Sequence, residues 1–382
     1  MALIDSTTAK VIREYSIEEL MDAANLMRGY DLVALHAAGS GHAGGTLSIM
    51  DIAAALYLKV ANHDPKNPNW ADRDRIIWST GHKAPSLYLG LAFAGFCPIE
   101  DVVTLRKLGS PYQGHPHCLK LPGVEVSTGS LGQGLSIAVG MALAARLDNK
   151  HHRVFCIMGD GEQQEGQVWE AAMEAGFYEL ENLIGIIDCN RLQIDGPVKD
   201  VMEVEPLAAK YGSFGWDVLR VDGHDMAQVV DALEEAIAVK GRPVMVLADT
   251  VKGKGVSFME DQAGWHGKVP NYEELIEGLE ELELTEEIPV QKLLDRAGRY
   301  QVEVDRKLEA KMPKFTRNYW WNAGDTMKVK MEPTRKGFGQ SLAANGDDER
   351  IVCLGLDISG SITISDFYSG KPERKKRWIS MG

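Results

Sequence analysis

The stretch from Val154 to Asn190 limits the fold more than any other part of the chain. An apolar run, VFCIM, stops at Gly159-Asp160-Gly161; a helix-length segment, GQVWEAAMEAGFYEL, follows; a second apolar run, LIGIID, stops at Asp188-Cys189-Asn190. Two short apolar runs separated by a helix read as one βαβ unit of a parallel sheet. The right-handed crossover of such a unit places both strand ends on the same carboxyl edge, where open α/β folds bind their ligands. Asp160 and Asn190, thirty positions apart, are therefore predicted to converge.

The same alternation continues through MAQVVDALEEAIAVK and VMVLAD, up to residue 250. Before it, residues 17 to 60 read as helices, with Ser16 as a cap, Glu18 and Glu19 in the first turn, and a Gly-rich break at 39 to 45 leading into SIMDIAAALYLKV. The predicted class is α/β, a parallel sheet with helices on both faces. Residues 273 to 310, rich in Glu and Leu, read as solvated surface helices. Residues 311–332 lack periodicity and read as a linker between a first domain, 1–310, and the truncated start of a second α/β domain, 333–382, where TRKGFGQSLAANG suits a helix and RIVCLGLD a buried strand.

The balance of charge, 41 basic against 55 acidic residues for a net −14, argues against nucleic acid as a partner, because a polyanion would meet net repulsion; a small anion carried by a metal remains open. Five scattered cysteines without a CxxC pair suit the free thiols of a reducing compartment, so the cytoplasm is the expected location. The first residues mix charges and show no apolar leader, and no apolar stretch reaches membrane-spanning length, so neither export nor a membrane partner is expected.

Mg²⁺ takes an octahedron of hard oxygens and, when it carries a diphosphate, needs few ligands from protein. The Asp160 carboxylate, the Asn190 amide oxygen and the carbonyl of Leu192 would suffice. Gly159 and Gly161 would let the backbone approach phosphates, with the next helix offering its unpaired N–H groups. A GDG tripeptide alone is an ordinary strand-to-helix turn. With an Asn at the next strand end, it resembles the thiamine-diphosphate signature shared by transketolases, 1-deoxyxylulose-phosphate synthases and 2-oxoacid dehydrogenase E1 components.

Further segments resemble transketolases in transketolase order: SGHAGGTLS (40–48), STGHKAPSLY (79–88), GHP (114–116), LPGVEVSTGSLGQGLSIAVGMA (121–142), TVKGKG (250–255) and WHG (265–267). The resemblance implies a diphosphate-binding domain over 1–310, a pyrimidine-binding domain beginning at 333, and thiamine diphosphate with Mg²⁺, for which Ca²⁺ or Mn²⁺ can substitute. It makes His42, His82, His115 and His266 the histidines that line the active site. It places Gly129 and Leu131 against the bent cofactor, Ile194 beside it, Lys252 near its diphosphate, and Glu165 at a subunit interface close by. Each has a plainer alternative: surface histidines, a packed leucine, a solvated lysine, a helix-start carboxylate.

In the second domain the resemblance puts Arg335 and Ser361 on the sugar phosphate and Asp357 at the dimer interface. His117 and Cys118, adjacent in HPHC, lack a second ligand cluster and carry no zinc site. Implied substrates are sugar phosphates, with a two-carbon ketol unit passing from a ketose to an aldose. The glutamate that activates the cofactor in transketolases lies beyond the motif reached at WISMG, so a C-terminal subunit is expected to supply it, in a heterotetramer or alongside a homodimer. The alternatives are a non-catalytic thiamine-diphosphate-binding paralogue and a synthase or E1-type enzyme.

Overall fold

A computed structural model describes residues 3–311, 332–355 and 360–380. By internal packing the chain divides into two units, Met1–Gly298 and Arg299–Gly382.

The first unit is built on five parallel strands: β1 (Arg75–Trp78), β2 (Val154–Gly159), β3 (Leu183–Cys189), β4 (Asp217–Asp222) and β5 (Val244–Asp249), in the spatial order β1-β2-β3-β5-β4. Successive side chains of a strand point to opposite faces, and here the two sets enter two separate cores. Phe155, Ile157, Ile184, Ile186, Val244 and Val246 pack into one; Val154, Cys156, Met158, Leu183, Ile187, Met245 and Leu247 pack into the other. Strands apolar on both faces are what a parallel sheet between helical layers requires.

The first core is closed by α1 (Ile17–Ala38), α2 (Ala43–Ser48), α3 (Met50–Ala55), α4 (Ala84–Phe93) and, from the other end of the unit, α7 (Met226–Ala238). The second is closed by α5 (Gln133–Leu147) and α6 (Gly166–Phe177). α1 starts where the sequence predicts: Ser16 accepts the N–H of Glu19, whose carboxylate accepts the N–H of Ser16, a complete capping box. The predicted glycine break is narrower than its composition implied. Gly44 and Gly45 are already helical in α2, and only 39–42 form the turn. The helix predicted over SIMDIAAALYLKV is interrupted at Ile49 and ends in a π-helical turn, Leu56–Val60.

The acidic region forms α8 (Tyr272–Glu281) and α9 (Val290–Lys311), which bury little more than Leu275, Leu279, Leu293 and Ala297. The predicted linker lies, apart from its first and last residues, outside the described residues. In the second unit α10 (Thr334–Asn345) matches the helix read from TRKGFGQSLAANG. Cys353–Gly355 pairs in parallel with Trp378–Ser380, and Cys353, Ile364 and Phe367 form a small core. No described helix is long and apolar enough to cross a membrane.

Candidate active site

Register fixes the centre of the site. Gly159 lies beside Asp188, and Cys189 beside Asp249, so β2, β3 and β5 end together. Asp160 then reaches across to the next strand end: its N–H donates to the carbonyl of Asp188 at 3.3 Å, and its carboxylate accepts the N–H groups of Gly161 at 2.8 Å and Arg191 at 2.5 Å. Asn190 turns its Oδ1 to the N–H of Leu192 at 3.1 Å and donates from Nδ2 to Asp188 at 3.0 Å. The structure thus brings Asp160, Asn190 and Leu192 into one hydrogen-bonded turn, with Ile194 half-buried in the hairpin that follows. Burial, then the neighbouring charge of Asp188, raises the Asp160 carboxyl to about 6.

The four histidines, drawn from loops as far apart in sequence as 42 and 266, meet in one cluster. Ring centroids lie 5.3 Å apart for His42 and His82, 5.7 Å for His42 and His266, 6.5 Å for His42 and His115, and 5.3 Å for the stacked rings of His82 and His266. Burial and surrounding cations keep them neutral: His42 falls to about 4 through burial and then Arg106, His115 and Lys252, and the other three shift in the same direction. Lys252 is 1% exposed, and its ammonium donates to the carbonyl of Leu192 at 2.9 Å and to Nδ1 of His266 at 2.7 Å. That contact makes Nδ1 the acceptor and leaves the proton of His266 on Nε2.

Gly129, at φ +151°, packs where a Cβ would stand 3.1 Å from the His115 ring. Leu131 is half-buried and its carbonyl accepts from Gln167 at 3.1 Å. Glu165 holds the N-cap position of α6 without making a cap bond and accepts instead from Gln167 at 3.3 Å. Two details differ from expectation. The N–H groups of Gly159 and Gly161 already donate to the carboxylates of Glu162 and Asp160, and a 3₁₀ turn, Gly161–Gln164, separates the strand end from α6. The short GDGEQQ segment carries its own carboxylate, Glu162, that folds back on the turn. Arg335 and Ser361 belong to the second unit, where the Thr363 hydroxyl donates to the carbonyl of Arg335; Asp357 lies outside the described residues.

Several groups at the site were not singled out by the sequence. Lys83, next to His82, pairs with the fully buried Asp188. Burial would raise the Asp188 carboxyl, but that ammonium and the hydroxyls of Ser48 and Thr250 hold it below the ordinary value. Arg106, at φ +58°, approaches His42 Nδ1 at 3.5 Å and has no carboxylate partner among the described residues. The buried hydroxyls of Thr80 and Thr128 have no hydrogen-bond partner among the described residues. Lys83 and Thr80 belong to the STGHK motif and Thr128 to the STGSLGQG segment, whereas Arg106 acquires meaning only from His42, distant in sequence.

This edge of the sheet suits a diphosphate carried by a cation. Asp160, Asn190 and Leu192 offer hard oxygens, the Leu192 carbonyl having a second lone pair beside the one that accepts the Lys252 ammonium. Lys252 supplies buried positive charge, Lys83 is held by Asp188, and the buried hydroxyls of Thr80 and Thr128 make no hydrogen bond among the described residues. No group of three or more His, Cys, Asp or Glu forms a metal cage among the described residues, so a cation here would take its remaining ligands from phosphate and water. Beside Arg191 and Leu192 opens a cavity of about 870 Å³.

Fold and site together define an α/β domain whose sheet gathers hard oxygens and buried ammoniums at its carboxyl edge. Residues 20–298 match the model of the transketolase thiamine-diphosphate-binding domain. The chain is 44% identical over 248 residues to a 6-deoxy-6-sulfo-D-fructose transketolase subunit of Clostridium sp. (strain MSTE9), covering 65% of this chain and 90% of that one. It is 41% identical over 264 residues to an apulose-4-phosphate transketolase subunit of Phocaeicola vulgatus, covering 69% and 93%. The solved transketolase of Campylobacter jejuni superposes with a TM-score of 0.68 at 29% identity, over 97% of this chain and 61% of that one. This chain belongs to the transketolase family. It spans about three fifths of the length of that solved relative.

Proposed function

We propose that this chain is the cofactor-binding subunit of a two-chain transketolase that moves a two-carbon ketol unit from a ketose to an aldose, each bearing a terminal anionic group. The observation that carries the proposal is the gathering of His42, His82, His115 and His266, with centroid separations of 5.3 to 6.5 Å, in the same unit as the Asp160–Asn190 turn. Thiamine diphosphate, when bound, supplies an electron sink for breaking the bond next to a ketose carbonyl. Mg²⁺, or Ca²⁺ or Mn²⁺ in its place, would be held by Asp160, Asn190 and the Leu192 carbonyl, with Lys252 near the diphosphate. Gly129, Leu131, Ile194 and Glu165 would border the cofactor.

Neutral imidazoles suit the remaining work. Each carries one N–H donor and one acceptor, so it can hold a sugar hydroxyl or carbonyl by hydrogen bonds without carrying charge. His266, with Nδ1 engaged by Lys252, presents Nε2–H as a donor to a carbonyl or developing alkoxide. Arg106, with no carboxylate partner among the described residues, brings a cation to the edge of the cluster, suited to a phosphorylated or sulfonated sugar. Arg335 and Ser361 are proposed to hold the sugar phosphate from the second domain.

Two relatives bear subunit names and are spanned over 90% and 93% of their lengths, which favours a division of the enzyme between chains. A second copy is also proposed. α5 and α6 pack one face on the core yet leave Leu147, Met173 and Phe177 between 56% and 81% exposed, apolar surface that a partner would cover.

The test is co-expression with a candidate C-terminal chain, followed by assay with xylulose 5-phosphate, ribose 5-phosphate, thiamine diphosphate and Mg²⁺. Transfer of two carbons supports the proposal. A stable complex that transfers nothing refutes it, and release of CO₂ from pyruvate would assign the other chemistry.

A further inference from the structure

One fully buried carboxylate underlies both the metal-binding turn and the cationic loops. Asp188, two residues before Asn190, accepts from four side chains on separate segments: Ser48 Oγ at 2.6 Å, Asn190 Nδ2 at 3.0 Å, the Lys83 ammonium and the Thr250 hydroxyl. A carboxylate paired with an ammonium accepts hydrogen bonds and donates none. Whatever amide faces it must therefore present nitrogen. Asn190 then has its oxygen turned away, accepting the N–H of Leu192 at 3.1 Å and keeping a second lone pair.

We infer that Asp188 is a positioning residue that orients Asn190 for the cation: by engaging the amide nitrogen, it commits the amide oxygen to metal binding. The same geometry explains why residue 190 is an amide. A carboxylate there would be the stronger ligand for Mg²⁺ by charge, but it would face Asp188 across about a hydrogen-bond length and be repelled. Asp188 also fixes Lys83, next to His82, and the hydroxyl of Thr250, so one residue sets ligand orientation and the placement of a buried ammonium. The inference rests on the cofactor reading proposed above.

The experiment uses the complex of this chain with its co-expressed C-terminal chain and measures thiamine diphosphate binding by calorimetry as a function of Mg²⁺. Asp188→Asn lets the amide of residue 190 turn either way. The Mg²⁺ concentration for half-maximal binding should rise by roughly ten- to a hundredfold, as losing an outer partner of a metal ligand does elsewhere, while saturating Mg²⁺ restores the wild-type cofactor affinity. A residue with only a structural role would lower the melting temperature and leave the Mg²⁺ requirement unmoved.

Asn190→Asp provides the second arm and does not depend on the folding of the first variant. It should also weaken Mg²⁺ binding, and the exchanged pair Asp188→Asn with Asn190→Asp should bind Mg²⁺ more tightly than Asn190→Asp alone. An unchanged Mg²⁺ requirement in Asp188→Asn, or tighter Mg²⁺ binding by Asn190→Asp, overturns the inference. Absence of Mg²⁺-dependent binding by the wild type would instead refute the cofactor reading itself.

Discussion

Asp31 shows how much one side chain can contribute when burial decides its charge. It lies on the apolar stripe of α1, four residues from Met27 and four from Leu35, and is completely buried. One carboxyl oxygen accepts from Thr46 at 2.6 Å; the other has no partner among the described residues. Burial, partly offset by Thr46, raises it to about 8. Between about pH 4 and 8 the native chain therefore holds a proton that the unfolded chain releases, so stability is greatest below this window and declines as pH rises through it. Asp31→Asn removes the decline: from pH 5 to pH 8 the wild type should lose on the order of 3 kcal/mol relative to the variant in urea unfolding, and parallel curves would refute this. The comparison must be with the variant, because His63, pushed down to about 4 by burial, acts in the opposite sense, losing stability as pH falls from about 6.5 toward 4. Asp160 and Asn190 were legible through their spacing between strand ends, and the four Gly-flanked histidines through the family resemblance of the segments that carry them. Asp31 was open to the same reading, as a charge on an apolar stripe. Glu162 and Arg106 were not, because the groups that give them roles, Ser79 and His42, lie 83 and 64 residues away.

Secondary-structure elements were legible where capping chemistry or an unbroken apolar run specified them. Ser16 begins α1 through a reciprocal box, and Ser16→Ala should lower stability by about 1 kcal/mol in thermal unfolding; no change would mean that packing alone sets this helix end. The three inner strands, β2, β3 and β5, announce themselves as continuous apolar runs. β1 is only four residues long, and β4 is an edge strand whose DVLRVD mixes charge with apolar residues and stays half-exposed; neither was read as a strand. α5 depends on Gly132 at its start, with φ +80° and a would-be Cβ 2.7 Å from both Glu165 and Gln167. Gly132→Ala combines a left-handed backbone with a clash, and should cost roughly 1–3 kcal/mol while displacing Leu131. Unaltered melting together with unaltered cofactor affinity would contradict that account.

At the scale of the molecule, the sequence conveyed the class and the parallel sheet because strands apolar on both faces have few other uses. The packing division at Gly298–Arg299 was not visible, since it falls inside α9, whose periodicity runs through it. Nor did single residues disclose the exposed face of α5 and α6, because Met173 and Phe177 look like core residues until the helix is docked. If that face receives a second copy, light scattering should report a multiple of the mass of one assembly unit, and Phe177→Glu should reduce it without altering far-UV circular dichroism; an unchanged mass would remove the face from the assembly. The central claim, that a metal-held diphosphate sits where β2 and β3 end, is tested most directly by calorimetric titration of thiamine diphosphate into the two-chain complex, with Mg²⁺ and with EDTA, for wild type and Asp160→Ala. Binding by the wild type in Mg²⁺, lost both in EDTA and in Asp160→Ala, is the expected result; equal binding by wild type and Asp160→Ala in Mg²⁺ would contradict it.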